Sequence, residues 1–261
     1  MATTVTYKGQ VLVTVDNSTK VLETSGTWCE DDFTLVDVSG GGSMDADDLA
    51  TRNYTGAIVL DSATSVVAYA FQNSKITSVT SNTVTSINNY GFASCKELLT
   101  ADFPELDGNI NAYTFDGCMK LTSVNLPKAN AMNGYCFRGC TAITQVMLPG
   151  LVTSGNSATG ADAFRNCTSL ETVDLGKCVR IDTNCFNGDT NLNKLILRKT
   201  TVCTLSNVNA FTSTPYASGG SGGTVYVPSA LISSYQTASN WSTLYNAGTC
   251  SFVALEGSQY E

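Results

Sequence analysis

The chain has 261 residues, 43% hydrophobic and 14% charged, with a formal net charge of −8, long enough to bury a substantial core. It contains no histidine, which excludes Ser-His-Asp and Cys-His catalysis, histidine proton shuttling and every histidine-containing metal motif. Residues 1–50 carry nine acidic side chains against Lys8 and Lys20, leaving −1 for the rest; without a Lys/Arg cluster, the phosphate neutralisation that nucleic-acid binding needs is missing.

The opening stretch, Met1-Ala2-Thr3-Thr4-Val5-Thr6-Tyr7-Lys8, lacks a charged leader and the apolar core of about 7 to 15 residues expected of a secretory signal. No run reaches the roughly 20 apolar residues that cross a bilayer. If the numbering begins at the native start, the expectation is synthesis in the cytoplasm without a signal peptide and no membrane partner. Residues 1–38 read as a small β module: Val5 and Tyr7 alternate with polar neighbours, Val11, Val13 and Val15 repeat the pattern, Asp16-Asn17-Ser18 marks a turn and Phe33 to Val38 offers another strand. Residues 39–56 form a Gly-rich and acidic linker beginning Ser39-Gly40-Gly41-Gly42-Ser43. Asp45-Ala46-Asp47-Asp48 offers oxygen ligands for calcium but lacks EF-hand spacing, so it reads as a solvated or helix-starting segment. Glu30-Asp31-Asp32 reads as a solvent-facing turn.

Residues 57–215 repeat. Phe71, Phe92, Phe115, Phe137, Phe164, Phe186 and Phe211 are spaced 21, 23, 22, 27, 22 and 25 residues apart, the period of a solenoid. Three apolar slots follow each phenylalanine: Leu98, Leu121, Ile143, Leu170 and Leu192, then Ala101, Val124, Val146, Val173 and Leu195, then Phe103, Leu126, Leu148, Leu175 and Leu197. The last two slots alternate with polar residues and predict a short strand per coil. The half-coil before the next phenylalanine, such as Ala129 to Cys136, is small, polar and Gly-containing, and no long amphipathic helix is expected there. One coil cannot bury its apolar side alone; stacked coils make a continuous core and a parallel sheet along one face.

The ten cysteines follow the same period. Cys95, Cys118, Cys140 and Cys167 lie three residues after a phenylalanine; Cys136 and Cys185 lie one before it, where other coils have Ala70, Gly91, Thr114, Ala163 and Ala210. Slots that accept any small residue describe packing, so buried reduced thiols are expected. Cys136 and Cys140 form a C-x3-C pair, a weak metal signal without a second pair. No phosphate loop or dinucleotide fingerprint occurs, and neither cofactor nor metal is expected. Glu171 and Asp174 share a strand and leave carboxylate-pair glycoside hydrolysis open on composition, although solvated face residues fit them better.

Residues 216–261 predict a cap: a loop over Ser218 to Gly223, a strand from Thr224 to Val227, a helix from Ala230 to Ala238, and Trp241 and Leu244 over the open end of the core. The expected fold is mainly β: a repeat solenoid with short parallel strands, preceded by the β module and closed by this strand-helix cap. Its outward strand positions are the candidate ligand-binding surface: Thr122, Asn125, Thr144, Gln145, Met147, Glu171, Asp174, Asn193, Lys194 and Ile196.

The units Phe115-Asp116-Gly117-Cys118-Met119-Lys120-Leu121-Thr122-Ser123-Val124-Asn125-Leu126-Pro127 and Phe164 to Leu175 resemble the BspA type of leucine-rich repeat, whose units read much like YAFxGCTSLTSVxLP, over roughly residues 65 to 215. The first copy departs from the pattern, with Ser74 in the cysteine slot and one residue fewer before Ile76. The resemblance implies a bacterial cell-surface adhesin, which would need an export route. Residues 201 to 241 are similar to the C-terminal ends of such proteins from gut bacteria and their phages, and the TYKG and DDFTLVDVS segments resemble N-terminal modules of phage or prophage structural proteins. Together these imply a virion-associated, non-enzymatic attachment protein. Its expected partners are other virion proteins through the N-terminal module and a bacterial surface protein or glycan through the repeats, with homo-oligomerisation, a trimer favoured.

Overall fold

The computed structural model describes residues 3–7, 10–15, 55–60, 63–152 and 159–261, the first two stretches as backbone. Thr3–Tyr7 and Gln10–Val15 form strands where the alternation placed them, and they pair antiparallel. The expected strand at 33–38, the glycine linker and the acidic cluster lie outside the described residues.

From Thr55 onward the chain winds as a parallel β-solenoid. The predicted strands form one per coil and pair in the expected register, with Val79, Ala101 and Val124 aligned along Lys75–Thr80, Thr100–Asp102 and Ser123–Asn125. Val146, Val173, Leu195 and Val225 align likewise along Gln145–Met147, Thr172–Asp174, Lys194–Ile196 and Gly223–Val227. The strands fall into a four-stranded and a five-stranded sheet, parted between Ser123–Asn125 and Gln145–Met147. Val124, at the parting, is half-buried where the other residues of its slot are buried.

The phenylalanines bridge that break. Each stacks on the next with centroids 5.2 to 5.7 Å apart, including Phe115 on Phe137 at 5.4 Å. Every phenylalanine N–H from Phe71 to Phe186 donates to the residue before the next phenylalanine at 2.8 to 2.9 Å. The turn carrying the ring therefore knits neighbouring coils in backbone and side chain together. From Phe71 to Phe186 such a turn has left-handed residues two before and two after the phenylalanine, as type II turns require at their third position, whereas Phe211 ends a 3-10 turn and keeps only the second. The second of these slots holds Asn73, Ser94, Gly117, Gly139, Asn166, Gly188 and Ser213, all with positive φ; glycine meets that demand without steric cost and asparagine at a small one.

The half-coil expected to be irregular contains a second ladder of two-residue strands. Val66, Ile87, Ile110 and Met132 align in parallel, and Ile181 aligns with Leu205. A single apolar residue five before the phenylalanine marks most of these strands, too short a signal to show alternation.

At the C-terminus, Ser229–Leu231 forms a 3-10 turn leading into α1 (Ile232–Thr237), followed by α2 (Trp241–Asn246) and the strand Cys250–Ala254. The Phe211 ring ends the stack against Tyr216 and Trp241. The Trp241 indole N–H donates to the Cys203 carbonyl at 2.7 Å, and the Cys203 N–H donates to the Tyr235 hydroxyl at 2.8 Å. The predicted aromatic lid thus has its polar atoms satisfied, as burial requires.

Nine cysteines, from Cys95 to Cys250, are buried free thiols. In the slot three after the phenylalanine, each Sγ–H points to the previous coil: Cys95 to Phe71 O, Cys118 to Phe92 O, Cys140 to Phe115 O and Cys167 to Phe137 O, at 3.0 to 3.1 Å. Ser74 opens the column and meets Cys95 Sγ. Burial raises the pKa of Cys140, Cys167 and Cys185 well above that of a free thiol and pushes Cys250 up to about 12. Thiolate is the reactive form, so alkylation at pH 8 followed by peptide mass mapping should leave Cys140, Cys167, Cys185 and Cys250 unmodified in the native protein and modify all four after urea unfolding.

Asp189 occupies the same slot and is fully buried. Its Oδ1 accepts from the Cys167 N–H at 2.7 Å, whereas Oδ2 has no partner. Burial raises its pKa well above the ordinary carboxylate value. The unfolded chain therefore ionises first as pH rises, so the stability allowed by a neutral carboxyl is full below about pH 4 and lost at higher pH. Asp189→Cys restores the thiol column with a donor toward Phe164 O. It should stabilise the protein at pH 7 by about 1–3 kcal/mol, with the gain shrinking toward pH 4, as read from urea midpoints at several pH values.

Candidate binding surface on the outer strand face

Because the central residue of each strand points into the core, its neighbours point outward. The fold therefore lays the candidate residues in columns. Thr100, Ser123, Gln145, Thr172 and Lys194 make one; Asp102, Asn125, Met147, Asp174 and Ile196 the second; and Leu99, Thr122, Thr144, Glu171 and Asn193, just before the strands, a third, in which the N–H of Thr122 donates to Leu99 O, of Glu171 to Thr144 O and of Asn193 to Glu171 O. The predicted set does converge on one face, but exposure changes along it. Thr122, Asn125, Thr144, Gln145 and Glu171 are exposed, and Met147, Asn193 and Lys194 are half-buried.

Asp174 and Ile196, expected on the open surface, are fully buried, and this corrects the sequence reading. Asp174 Oδ1 accepts from the Gly176 N–H at 2.8 Å, while Oδ2 accepts from Arg198 Nε at 2.8 Å and pairs with Arg198 Nη2 at 2.8 Å. A carboxylate locked this way is a strut between coils, and Glu171 and Asp174 form no acid-base pair facing a substrate. Ile196 aligns with Tyr226, whose ring meets Tyr260 edge-on at 4.7 Å, so the closing segment lies over this end of the face. Thr172, in the first column, is buried too.

Toward the N-terminal coils the face stays open and its polar groups are partly self-paired. Asn125 Nδ2 donates to Asp102 Oδ1 at 2.8 Å, and the Thr122 hydroxyl donates to Leu99 O at 3.0 Å. Lys120–Glu97 and Lys128–Glu105, both at 2.6 Å, link successive coils at exposed positions; pairs of this kind contribute little to stability. Toward the cap, Asn193 and Lys194 border an open depression of about 360 Å³ completed by Ser221 to Thr224 and Gly248 to Ser251. These are groups for hydrogen bonding and shape recognition. Among the described residues no group of three or more acidic or cysteine side chains is placed to hold a metal, and Cys140 of the C-x3-C pair already donates to a carbonyl.

A second exposed feature went unread in the sequence. Tyr69, Tyr90, Tyr113 and Tyr135, each two residues before a phenylalanine, stack at 4.9, 4.4 and 4.7 Å. The Arg138 guanidinium lies 4.9 Å from the Tyr135 centroid and 5.6 Å from that of Tyr113, and grips Asp116 through Nε and Nη2 at 2.8 Å each. Partial desolvation, and then the neighbouring Tyr113 phenol, raise the pKa of Tyr90. The regular tyrosine spacing was the signal for this column.

Short parallel strands, one coil per repeat and a recurring aromatic-thiol turn define the chain as a leucine-rich-repeat solenoid. It belongs to the family described as the BspA type leucine-rich repeat region, six copies of which match over residues 64–193 and 109–218, more than half of the chain. Among solved structures, a leucine-rich repeat protein from Bacteroides ovatus is 23% identical over 64% of this chain and 47% of its own, with a TM-score of 0.47. This chain therefore spans about half the length of that protein. A T. pallidum leucine-rich repeat protein is 17% identical over 78% and 94% of the two chains (TM-score 0.43). A leucine-rich cell surface protein of Faecalibacterium prausnitzii is 18% identical over 76% and 70% (TM-score 0.41). No curated protein matches the sequence.

The Asp174–Arg198 strut is testable. Arg198→Ala leaves a fully buried carboxylate without its cation, and should cost about 3 kcal/mol, at the low end for a broken buried pair because Arg198 keeps some solvent contact. Urea denaturation measures it; Asp174→Asn in the same background should recover part of the loss.

Proposed function

We propose that the protein is a non-enzymatic recognition module that presents the open part of its outer strand face to an extended bacterial surface partner, protein or glycan. The observation that carries this reading is the graded face itself. Thr122 and Asn125 beside one sheet and Thr144, Gln145 and Glu171 beside the next lie on one face of a continuous core and are left to solvent, while the same columns close over at Asp174 and Ile196. Repeat solenoids bind extended partners through such surfaces. In this reading the N-terminal β module anchors the chain to a virion and supports a homo-oligomer, a trimer favoured, and the repeats face the host cell. The support is the module-linker-repeat order and the resemblance of the N-terminal segments to phage modules. Membership of the repeat family favours a second reading, a bacterial cell-surface adhesin, with the same binding face and a different anchor.

Fluorescently labelled full-length protein should bind cells of the source host saturably. Thr122→Lys/Thr144→Lys/Gln145→Lys should weaken that binding by about tenfold or more without shifting the melting temperature, since the replaced side chains are exposed and the loss corresponds to about 1.4 kcal/mol. Unchanged binding overturns the assignment of this face. Mass spectrometry of purified particles and of washed cell envelopes separates the anchors: the polypeptide in particles supports the virion reading, and in envelopes the adhesin. Light scattering of the full chain should give a trimer mass; a monomer removes the oligomer from the proposal.

A further inference from the structure

The tyrosine column is more than the fold requires. Tyr69, Tyr90, Tyr113 and Tyr135 all stand in the left-handed region, with φ of 63, 60, 61 and 62 degrees. A bulky side chain is uncommon there and gains nothing from it, whereas asparagine and aspartate visit it readily. The next two coils use those residues, Asp162 at 56 degrees and Asn184 at 59 degrees. The phenylalanine stack continues through these coils unchanged, Phe137 to Phe164 at 5.3 Å and Phe164 to Phe186 at 5.4 Å. An aromatic residue at this position is therefore dispensable for coiling, and a bulky side chain kept over four coils at a left-handed position that asparagine or aspartate would fill at lower cost points to function.

The rings lie within 2 to 11 degrees of parallel, so their faces cover one another and their edges and phenol oxygens are what solvent meets. Tyr69 is 41% exposed and the other three are half-buried. The result is a strip one side chain wide and four coils long on the turn side of the solenoid, away from the strand face. Its nearest charges are paired: Arg138 is held bidentately by Asp116, and Arg165 Nη1 pairs with Asp162 Oδ1 at 3.1 Å.

We propose that this strip is a binding site for a linear, uncharged glycan lying along the solenoid axis. A row of phenols both donates and accepts hydrogen bonds, the chemistry that sugar hydroxyls return. The strip's width is far below the roughly 800 Å² per partner of a stable protein interface, whereas a chain of small rings meets one tyrosine per coil. With Arg138 and Arg165 neutralised, nothing on the strip draws a polyanion. Rings already clamped by stacking lose little freedom on binding, which limits its entropic cost.

The test is calorimetric titration of the full chain with three neutral linear probes, cellohexaose, mannohexaose and chitohexaose. At least one should bind saturably. Tyr90→Phe/Tyr113→Phe keeps the stack and removes two hydroxyls, and Tyr90→Asn/Tyr113→Asn installs the residue that Asn184 shows the slot accepts. Each should weaken binding by about tenfold or more, the loss of one or two hydrogen bonds in that range. The triple lysine variant of the strand face should bind the hexasaccharide as wild type does. The proposal is overturned if no probe binds, if both tyrosine variants bind normally, or if an extended uncharged peptide binds the strip and the glycans do not. Loss of glycan binding in the strand-face variant alone would place the sugar on that face and overturn the strip while leaving the earlier reading standing.

Discussion

The structure depends on one repeated contact: a phenylalanine whose ring stacks on its counterpart and whose N–H bonds to the neighbouring coil in the same step. Stacking gains energy beyond the burial of the ring, and the amide bond fixes the distance at which the rings meet. Because both act between adjacent coils only, stability accumulates by nearest neighbours, as in other solenoids. The interruption of the strand ladder near Val124 shows where the weight falls. Hydrogen bonding between the central strands lapses there, yet Phe115 and Phe137 remain stacked and Phe115 still donates to Cys136 O.

The other columns are consequences of that spacing. From Phe71 to Phe186 the turn that presents the ring has a left-handed residue on each side of it, which sets where glycine and asparagine fall. It also leaves a small enclosed space three residues later that a thiol fills while donating to the previous coil. Serine opens this column at Ser74 and aspartate enters it at Asp189. Asp189 shows what the space tolerates poorly, since one carboxylate oxygen is left without a partner in a site built for one weak donor.

A scaffold of this kind separates folding from recognition. The core slots are confined to apolar and small residues, and the outward columns are free to vary coil by coil. Near the cap that freedom is used for structure, with Asp174 tied to Arg198 and Tyr226 meeting Tyr260. In the middle coils it is left to solvent. The tyrosine column lies on a different edge, so a single rigid body offers two surfaces of different chemistry: mixed polar side chains on the strands and a uniform row of phenols on the turns.

The architecture was legible because inward positions obey a strict period. Phe71 to Phe211, the leucine and valine slots and the small-residue thiol slots all recur in register, and Trp241 and Leu244 broke the period where a lid was needed. The second ladder through Val66, Ile87, Ile110 and Met132 was missed because one apolar residue per strand gives no alternation to read, and the tyrosine column because its slot changes to Asp162 and Asn184 in the next two coils and so keeps no single residue type. By itself, then, the sequence determined the coil, its core and its closed C-terminal end, since burial selects residue type at every repeat. Which outward residues meet solvent was decided by tertiary structure alone. Asn125 and Asp174 hold the same slot, and one is open while the other is sealed by an arginine 24 residues further along the chain; exposure depends on what the next coil brings alongside, and no single repeat encodes that.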